Sequence, residues 1–395
     1  MPEELVGRRQ VADLLRHRRR LRNAYAHGNR TLHYDTVLIT YLLAFFNPTL
    51  RSLRTIEDFS KVPGANQYLD VEQVARSTLS DANQLFDPAL LEPLIQSLHA
   101  QIPAIARMDA KLGQLLKQLR LVDGSFFAVA ADVEWALRKR KAHNASTDDR
   151  FARLDLQMCS QTGVPECLEI NGKGTSEVAA AQRHIEPGVV YVADRGIFSF
   201  SHVQAMLDGE ADFVLRIKTS QLFQARKELP LTEEDRQAGV LSDRVGVLTG
   251  NTYRSAPQSL LREVRIADPN NPGHVVRLLT SLMDVSAHLV GEIYRRRWQI
   301  ELFFRWLKVH ANFRHLTSHS RNGITIGFYV ATIGVLLLYL HTGRRPSKYA
   351  FSLLCMVGQG MATLRDILPI LEARERESDL ARQRLARKKA EKAGQ

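Results

Sequence analysis

Leu119–Ala131, LRLVDGSFFAVAA, is the first stretch of the chain that reads as a β-strand, and it contains an anomaly. Its leucine, valine, phenylalanine and alanine suit a strand covered on both faces. Asp123-Gly124 stands in the middle, where an unpaired carboxylate is costly to bury. A basic run, Arg138-Lys139-Arg140-Lys141-Ala142-His143, follows. Ala152 to Cys159 and Cys167 to Ile170 then read as two more strands. The turn-rich Gln161-Thr162-Gly163-Val164-Pro165 joins them as in a hairpin. Thr175 to His184 is a short, alanine-rich helical stretch. Val189 to Ala193 is an apolar strand ending at Asp194-Arg195-Gly196; Ser199 to Leu207 is helical, and Asp212 to Ile217 (DFVLRI) is another strand.

Three strands, helix, strand, helix, strand is the order of a ribonuclease-H-like arrangement, in which antiparallel strands lead into right-handed α/β crossovers. The expected fold class is therefore α/β, with a ribonuclease-H-like core made of a mixed sheet flanked by helices. Residues 116–218 form its first part. Residues 219–283 break the alternation and read as a β-rich insertion, with a hairpin of Leu261–Ile266 and His274–Leu282 around Asp268–Gly273. Residues 284–343 return to the core with a late helix, and residues 344–395 read as a helical, charged C-terminal region. Residues 1–115 read as an all-helical N-terminal domain with a basic cluster, Arg16, Arg18, Arg19, Arg20 and Arg22. A DNA-binding domain and a generic helical domain with a solvated basic face both fit that segment.

The 395 residues, 45% of them hydrophobic, can bury a large core. A formal charge of +12 and a pI near 9.7 draw the protein to polyanions, without distinguishing DNA from RNA. Cys159, Cys167 and Cys355 form no CxxC pair and have no histidine at ligand spacing, which argues against a zinc or disulfide framework and fits a reducing cytoplasm. The N-terminus turns basic without an apolar stretch, so no secretory signal is expected. Ile324–Leu340 is uncharged and mostly apolar but borderline short for a membrane span; it reads as a buried core helix, with no membrane partner.

The late helix carries the other anomaly. In Tyr294–Lys308, YRRRWQIELFFRWLK, the residues Tyr294, Arg297, Glu301 and Lys308 are spaced three, four and seven apart. At about 100° per residue they share one stripe, with Arg305 beside them and apolar residues, Trp298 among them, around the rest. One acid among several cations suits metal-dependent attack on a phosphate. The same stripe is also what a solvated helix face with i,i+4 ion pairs looks like. Asp123 and Asp194 have a comparable second reading, since Asp-Gly and Asp-x-Gly are common turns. Taken together the three acids say more. A ribonuclease-H-like sheet sets the end of its fourth strand beside the middle of its first, and a late helix can pack against both. Asp123, Asp194 and Glu301 would then converge as oxygen ligands for one or two Mg2+ or Mn2+ ions, the equipment of in-line displacement at phosphorus.

The spacing Tyr294-x2-Arg297-x3-Glu301-x6-Lys308 resembles the YREK signature of bacterial insertion-sequence transposases of the DDE type, in the branch named for insertion sequence four. Asp194-Arg195-Gly196-Ile197-Phe198 and Leu121-Val122-Asp123-Gly124-Ser125 are similar to the surroundings of that branch's second and first acids. The resemblance implies a DNA transposase in which Asp123, Asp194 and Glu301 are catalytic and bind metal, two ions of Mg2+ or Mn2+. It implies that Tyr294, Arg297 and Lys308 contact DNA phosphates, with Arg216 as a further contact. His143, Arg183 and Trp298 are left unassigned, the tryptophan being read as core. Implied partners are double-stranded DNA, both transposon ends and target, and a second copy of the chain in the DNA complex. The implied location is the bacterial cytoplasm, at the nucleoid when DNA-bound. Two other readings stay open: a ribonuclease-H-like nuclease without strand transfer, and a non-catalytic DNA-binding protein derived from a transposase.

Overall fold

The structure is a computed structural model that describes the chain except residues 1–2, 26, 48, 51, 63–72, 103–114, 140–148, 251–255, 269–270, 272, 310–317, 343–347, 359–360 and 394–395. His143 and part of the Asp268–Gly273 turn therefore lie outside the described residues. The chain opens with helices α1 (Glu3–Ala24), α2 (Tyr34–Phe46), α3 (Leu53–Ser60), α4 (Arg76–Leu85) and α5 (Glu92–Ala100). A single turn, α6 (Leu115–Gln118), leads into the sheet.

The first strands are β1 (Leu119–Val129), β2 (Leu137–Lys139), β3 (Asp149–Cys159) and β4 (Pro165–Asn171). Helix α7 (Glu177–Gln182), strand β5 (Val190–Ala193), helix α8 (Phe200–Asp208) and strand β6 (Asp212–Ile217) follow. β1 pairs antiparallel with β3, and β3 with β4. β5 pairs parallel with β1, and β6 parallel with β5. This is the ribonuclease-H-like arrangement. Alternation along β1 feeds two layers: Leu119 and Leu121, fully buried, face one core, and Val122 faces the other. Each such leucine contributes roughly 2 kcal/mol by leaving water.

Residues after β6 extend this same sheet. Strands β7 (Leu222–Glu228), β8 (Val240–Thr249), β9 (Leu261–Ala267) and β10 (Val275–Thr280), with helix α9 (Glu233–Gln237) between β7 and β8, join it through β10. β10 lies antiparallel to β6, and the order runs β2-β3-β1-β5-β6-β10-β9-β8-β7 with β4 also on β3. The hairpin read around Asp268–Gly273 is β9 against β10. Buried arginines stitch the extension together: Arg262 meets Asp243 at 2.8 and 2.6 Å, and Glu263, fully buried, takes Arg244 and Arg277.

The chain then enters α10 (Ala287–Arg296), α11 (Trp298–Val309), α12 (Arg321–Thr342), α13 (Lys348–Gly358) and α14 (Leu364–Ala393). Helix α12 is long and apolar enough to cross a membrane by composition, but 78% of its apolar stretch is buried inside the protein. It packs on α2, α4, α5 and β4, which explains its all-round hydrophobicity. Two arginines of the basic cluster on α1, Arg18 and Arg22, turn to the buried Asp35, and Arg20 donates to the Leu90 carbonyl.

Candidate active site

Register places the first two acids. Parallel pairing of β1 with β5 runs up to Val122 and Ala193, and Asp123 and Asp194 are the residues that follow. Pairing of Ala193 with Leu215 sets Arg216 beside Asp194, and its Nη1 lies 3.6 Å from Asp194 Oδ1. On β1 the two-residue period puts Asp123, Ser125 and Phe127 on the face that α10 and α11 cover. Glycine at 124 allows close packing on the opposite face, because a Cβ there would sit 2.9 Å from Asp155 Oδ1.

The late segment is two helices rather than one, with the break at Arg297. The Arg297 amide donates to the carbonyls of Tyr294 and Arg295, so the turn tightens before α11 begins. Tyr294, in the last turns of α10, donates its hydroxyl to Asp194 Oδ1 at 3.0 Å. The Arg297 guanidinium spans the other two acids: Nη2 is 2.6 Å from Glu301 Oε1, and Nη1 is 3.6 Å from Asp123 Oδ2. It also lies 5.6 Å from the centre of the Tyr294 ring. Further along α11, Lys308 Nζ donates to Ser125 Oγ at 2.7 Å and lies 5.1 Å from the Phe127 ring centre. The polar stripe therefore faces the sheet and its acids. All seven residues singled out in the sequence fall in this region.

Electrostatics follows the burial. Burial pushes the Asp123 carboxyl up to about 6; the Gly124 amide and Arg297 pull it down, while Glu301 and Glu177 add to the rise. Burial also pushes Asp194 up, but the Arg195 amide, Arg297, Tyr294 and Arg216 outweigh it and hold the group below the usual carboxylate range. Burial raises the Tyr294 phenol. Burial works against the charged form of Arg297, yet Tyr294, Glu301 and Asp194 hold its proton more tightly than usual. Two neighbouring acids thus have environments that push them apart, a common property of reaction centres.

From Asp123 and Glu301 a cleft of about 750 Å³ runs over Phe126, Phe151 and Phe304, with Arg305 and Lys308 at its rim. Trp298, read from sequence as core, is 51% exposed, and the Arg305 guanidinium lies 5.8 Å from its ring centre. The break at Arg297 shifts the helical phase, which periodicity could not reveal. Glu177, which the sequence does not single out, also stands near Asp123. It stands in the first turn of α7, and a Cβ on Gly124 or Gly196 would meet its carboxylate at 3.4 Å. In sequence it reads as an ordinary acid at a helix N-terminus. Arg183 pairs with Glu169.

The oxygen donors suit a hard divalent cation. Their present arrangement does not: among the described residues no three His, Cys, Asp or Glu side chains are grouped to hold a metal ion. Arg297 lies between two of the acids instead.

A ribonuclease-H-like sheet with acids on β1, just after β5 and on a late helix defines a class of nucleic-acid-processing cores. The family model of the transposase DDE domain matches residues 114–337, more than half of the chain, and the chain belongs to that family. It is similar to y4zB of Sinorhizobium fredii, named as a transposase, at 25% identity over 66% of this chain and 69% of that protein. It is also 25% identical to a transposase of insertion sequence element IS4SA from Synechocystis, over 68% of this chain and 72% of the relative. A transposase of element IS5377 from Geobacillus stearothermophilus is 28% identical over 38% of each chain. A solved structure, a piggyBac transposase synaptic complex with hairpin DNA, overlaps 86% of this chain and 76% of its own, at TM-score 0.42 and 11% identity. The protein is thus a transposase of the DDE type.

Proposed function

We propose that this transposase belongs to the YREK branch, binds the terminal inverted repeats of its element, cleaves there, and joins the freed 3′-hydroxyl to target DNA. The observation that supports the reading is that two acids distant in sequence, Asp123 and Glu301, share the Arg297 guanidinium, while Asp194, at the end of the strand paired with β1, accepts from Tyr294 of the same helical segment. Asp123, Asp194 and Glu301 are the proposed metal-binding and catalytic acids. Two Mg2+ or Mn2+ ions held there would supply an activated water or 3′-hydroxyl and compensate charge on the leaving oxygen. Tyr294, Arg297, Lys308 and Arg216 are the proposed phosphate contacts, and the 750 Å³ cleft beside Glu301 gives the DNA end a path to the acids. The N-terminal helices are assigned to recognition of the transposon ends, and two copies of the chain to holding both ends together in the bacterial cytoplasm.

The experiment is a joining assay. Duplex ends taken from the DNA flanking the gene are incubated with the protein, Mg2+ and a supercoiled plasmid. We expect ends covalently joined to the plasmid and binding that weakens steeply with salt as counterions are released. Cleavage without joining would instead identify a nuclease.

A further inference from the structure

The acids are neutralised from within the protein. Arg297 takes an oxygen of Glu301 at 2.6 Å and faces Asp123 at 3.6 Å, with only 11% of its side chain exposed. Mg2+ sits about 2.0–2.1 Å from carboxylate oxygens, and a guanidinium held against those same oxygens repels it at close range. The two cations cannot share this space.

We infer that Arg297 gates the acidic site: in the DNA-free protein it clamps Asp123 to Glu301, and it gives up those oxygens when a DNA phosphate offers itself as replacement. This rests on the reading of the acids as metal ligands. Three features equip Arg297 to move. It occupies the junction between α10 and α11, where the helix is already interrupted. Its Nε is buried without a hydrogen-bond partner, so leaving costs no bond there. The cleft that opens at Glu301 lies within reach, and a phosphate there can take the guanidinium's fork in the bidentate geometry a carboxylate pair only approximates. By linkage, DNA and metal must then strengthen each other's binding. A protein away from its DNA is thereby kept poorly loaded, which limits stray hydrolysis.

The test is Mn2+ binding followed by electron paramagnetic resonance, with the purified full chain, with and without duplex DNA. We expect wild type to bind Mn2+ about tenfold tighter when DNA is present, roughly the effect of relieving one close repulsion. Arg297→Gln should bind Mn2+ about tenfold tighter than wild type without DNA and gain little more on its addition. Arg297→Lys separates clamp from charge, because an ammonium keeps the charge but cannot bridge both acids. It should also bind Mn2+ more tightly than wild type. If only the glutamine variant gains, the effect is charge alone and the clamp is wrong; if neither gains, the gate is wrong. Asp194→Asn reports on the underlying reading. Loss of Mn2+ binding in Asp194→Asn with no effect at Arg297 would overturn the gate but keep the metal site. No dependence on Asp194 would overturn both.

Discussion

Replacing Asp123 with asparagine should stabilise the DNA-free protein while removing a proposed catalytic acid. Burial pushes this carboxyl up to about 6, from an unfolded value of 3.8. The folded value is the higher one, so folding penalises the charged form. Below about pH 3.8 the group is protonated in both states and contributes nothing. Stability then falls as pH rises toward 6, and above that the penalty is complete. Two pH units at about 1.4 kcal/mol each amount to about 3 kcal/mol. The side chain is 26% exposed, and solvent screening reduces the expected figure to about 2 kcal/mol. Asparagine keeps the shape and removes the charge. Urea unfolding with chelator present should therefore show Asp123→Asn more stable than wild type by about 2 kcal/mol near pH 8. The gap should close near pH 4. A variant less stable than wild type near pH 8 would mean that pairing with Arg297 outweighs desolvation, and would refute the reasoning.

Arg262→Met strands a buried carboxylate, since Arg262 and Asp243 are 4% and 5% exposed, and should cost about 3–5 kcal/mol in urea unfolding. Adding Asp243→Leu should restore most of that loss; a single-variant cost under about 1 kcal/mol would mark the pair as unimportant. Asp235 accepts bonds from Thr232 and from the His288 amide, tying α9 to the start of α10, so Asp235→Ala should lower stability by about 2 kcal/mol. Burial raises this carboxyl, but those bonds hold it well below the usual range. Its contribution should therefore be complete at neutral pH and shrink only as acid titration passes below about pH 4. Lys308→Ala should weaken DNA binding alike for all sequences and lower the slope of log affinity against log salt by about one; an unchanged slope would remove Lys308 from the phosphate contacts.

Apolar runs made β5 and β6 legible, because strands covered on both faces select valine, leucine and phenylalanine almost without interruption. β7 and β8 were not. β7 is an edge strand, exposed along nearly its whole length, so burial imposed no alternation on LFQARKE. β8 buries Asp243, whose partner Arg262 comes from the next strand; such a paired charge looks polar in sequence and core-like only in space. The acids were legible because Asp123 and Asp194 are out of place in or beside apolar strands. The break at Arg297 was not, since Tyr294–Glu301 contains neither proline nor glycine. That the guanidinium belongs to the acids depended on strand register, which hydrophobic pattern alone does not determine.

The most direct measurement is cleavage of a labelled transposon-end duplex by Glu301→Gln beside wild type, with binding of the same duplex measured in parallel. Glutamine preserves the length of the side chain and a hydrogen bond to Arg297, and removes the charge. We expect binding to persist and cleavage to fall by at least about a thousandfold, the scale on which loss of an essential electrostatic group reduces rate. Cleavage at the wild-type rate would show that Glu301 is not one of the catalytic acids.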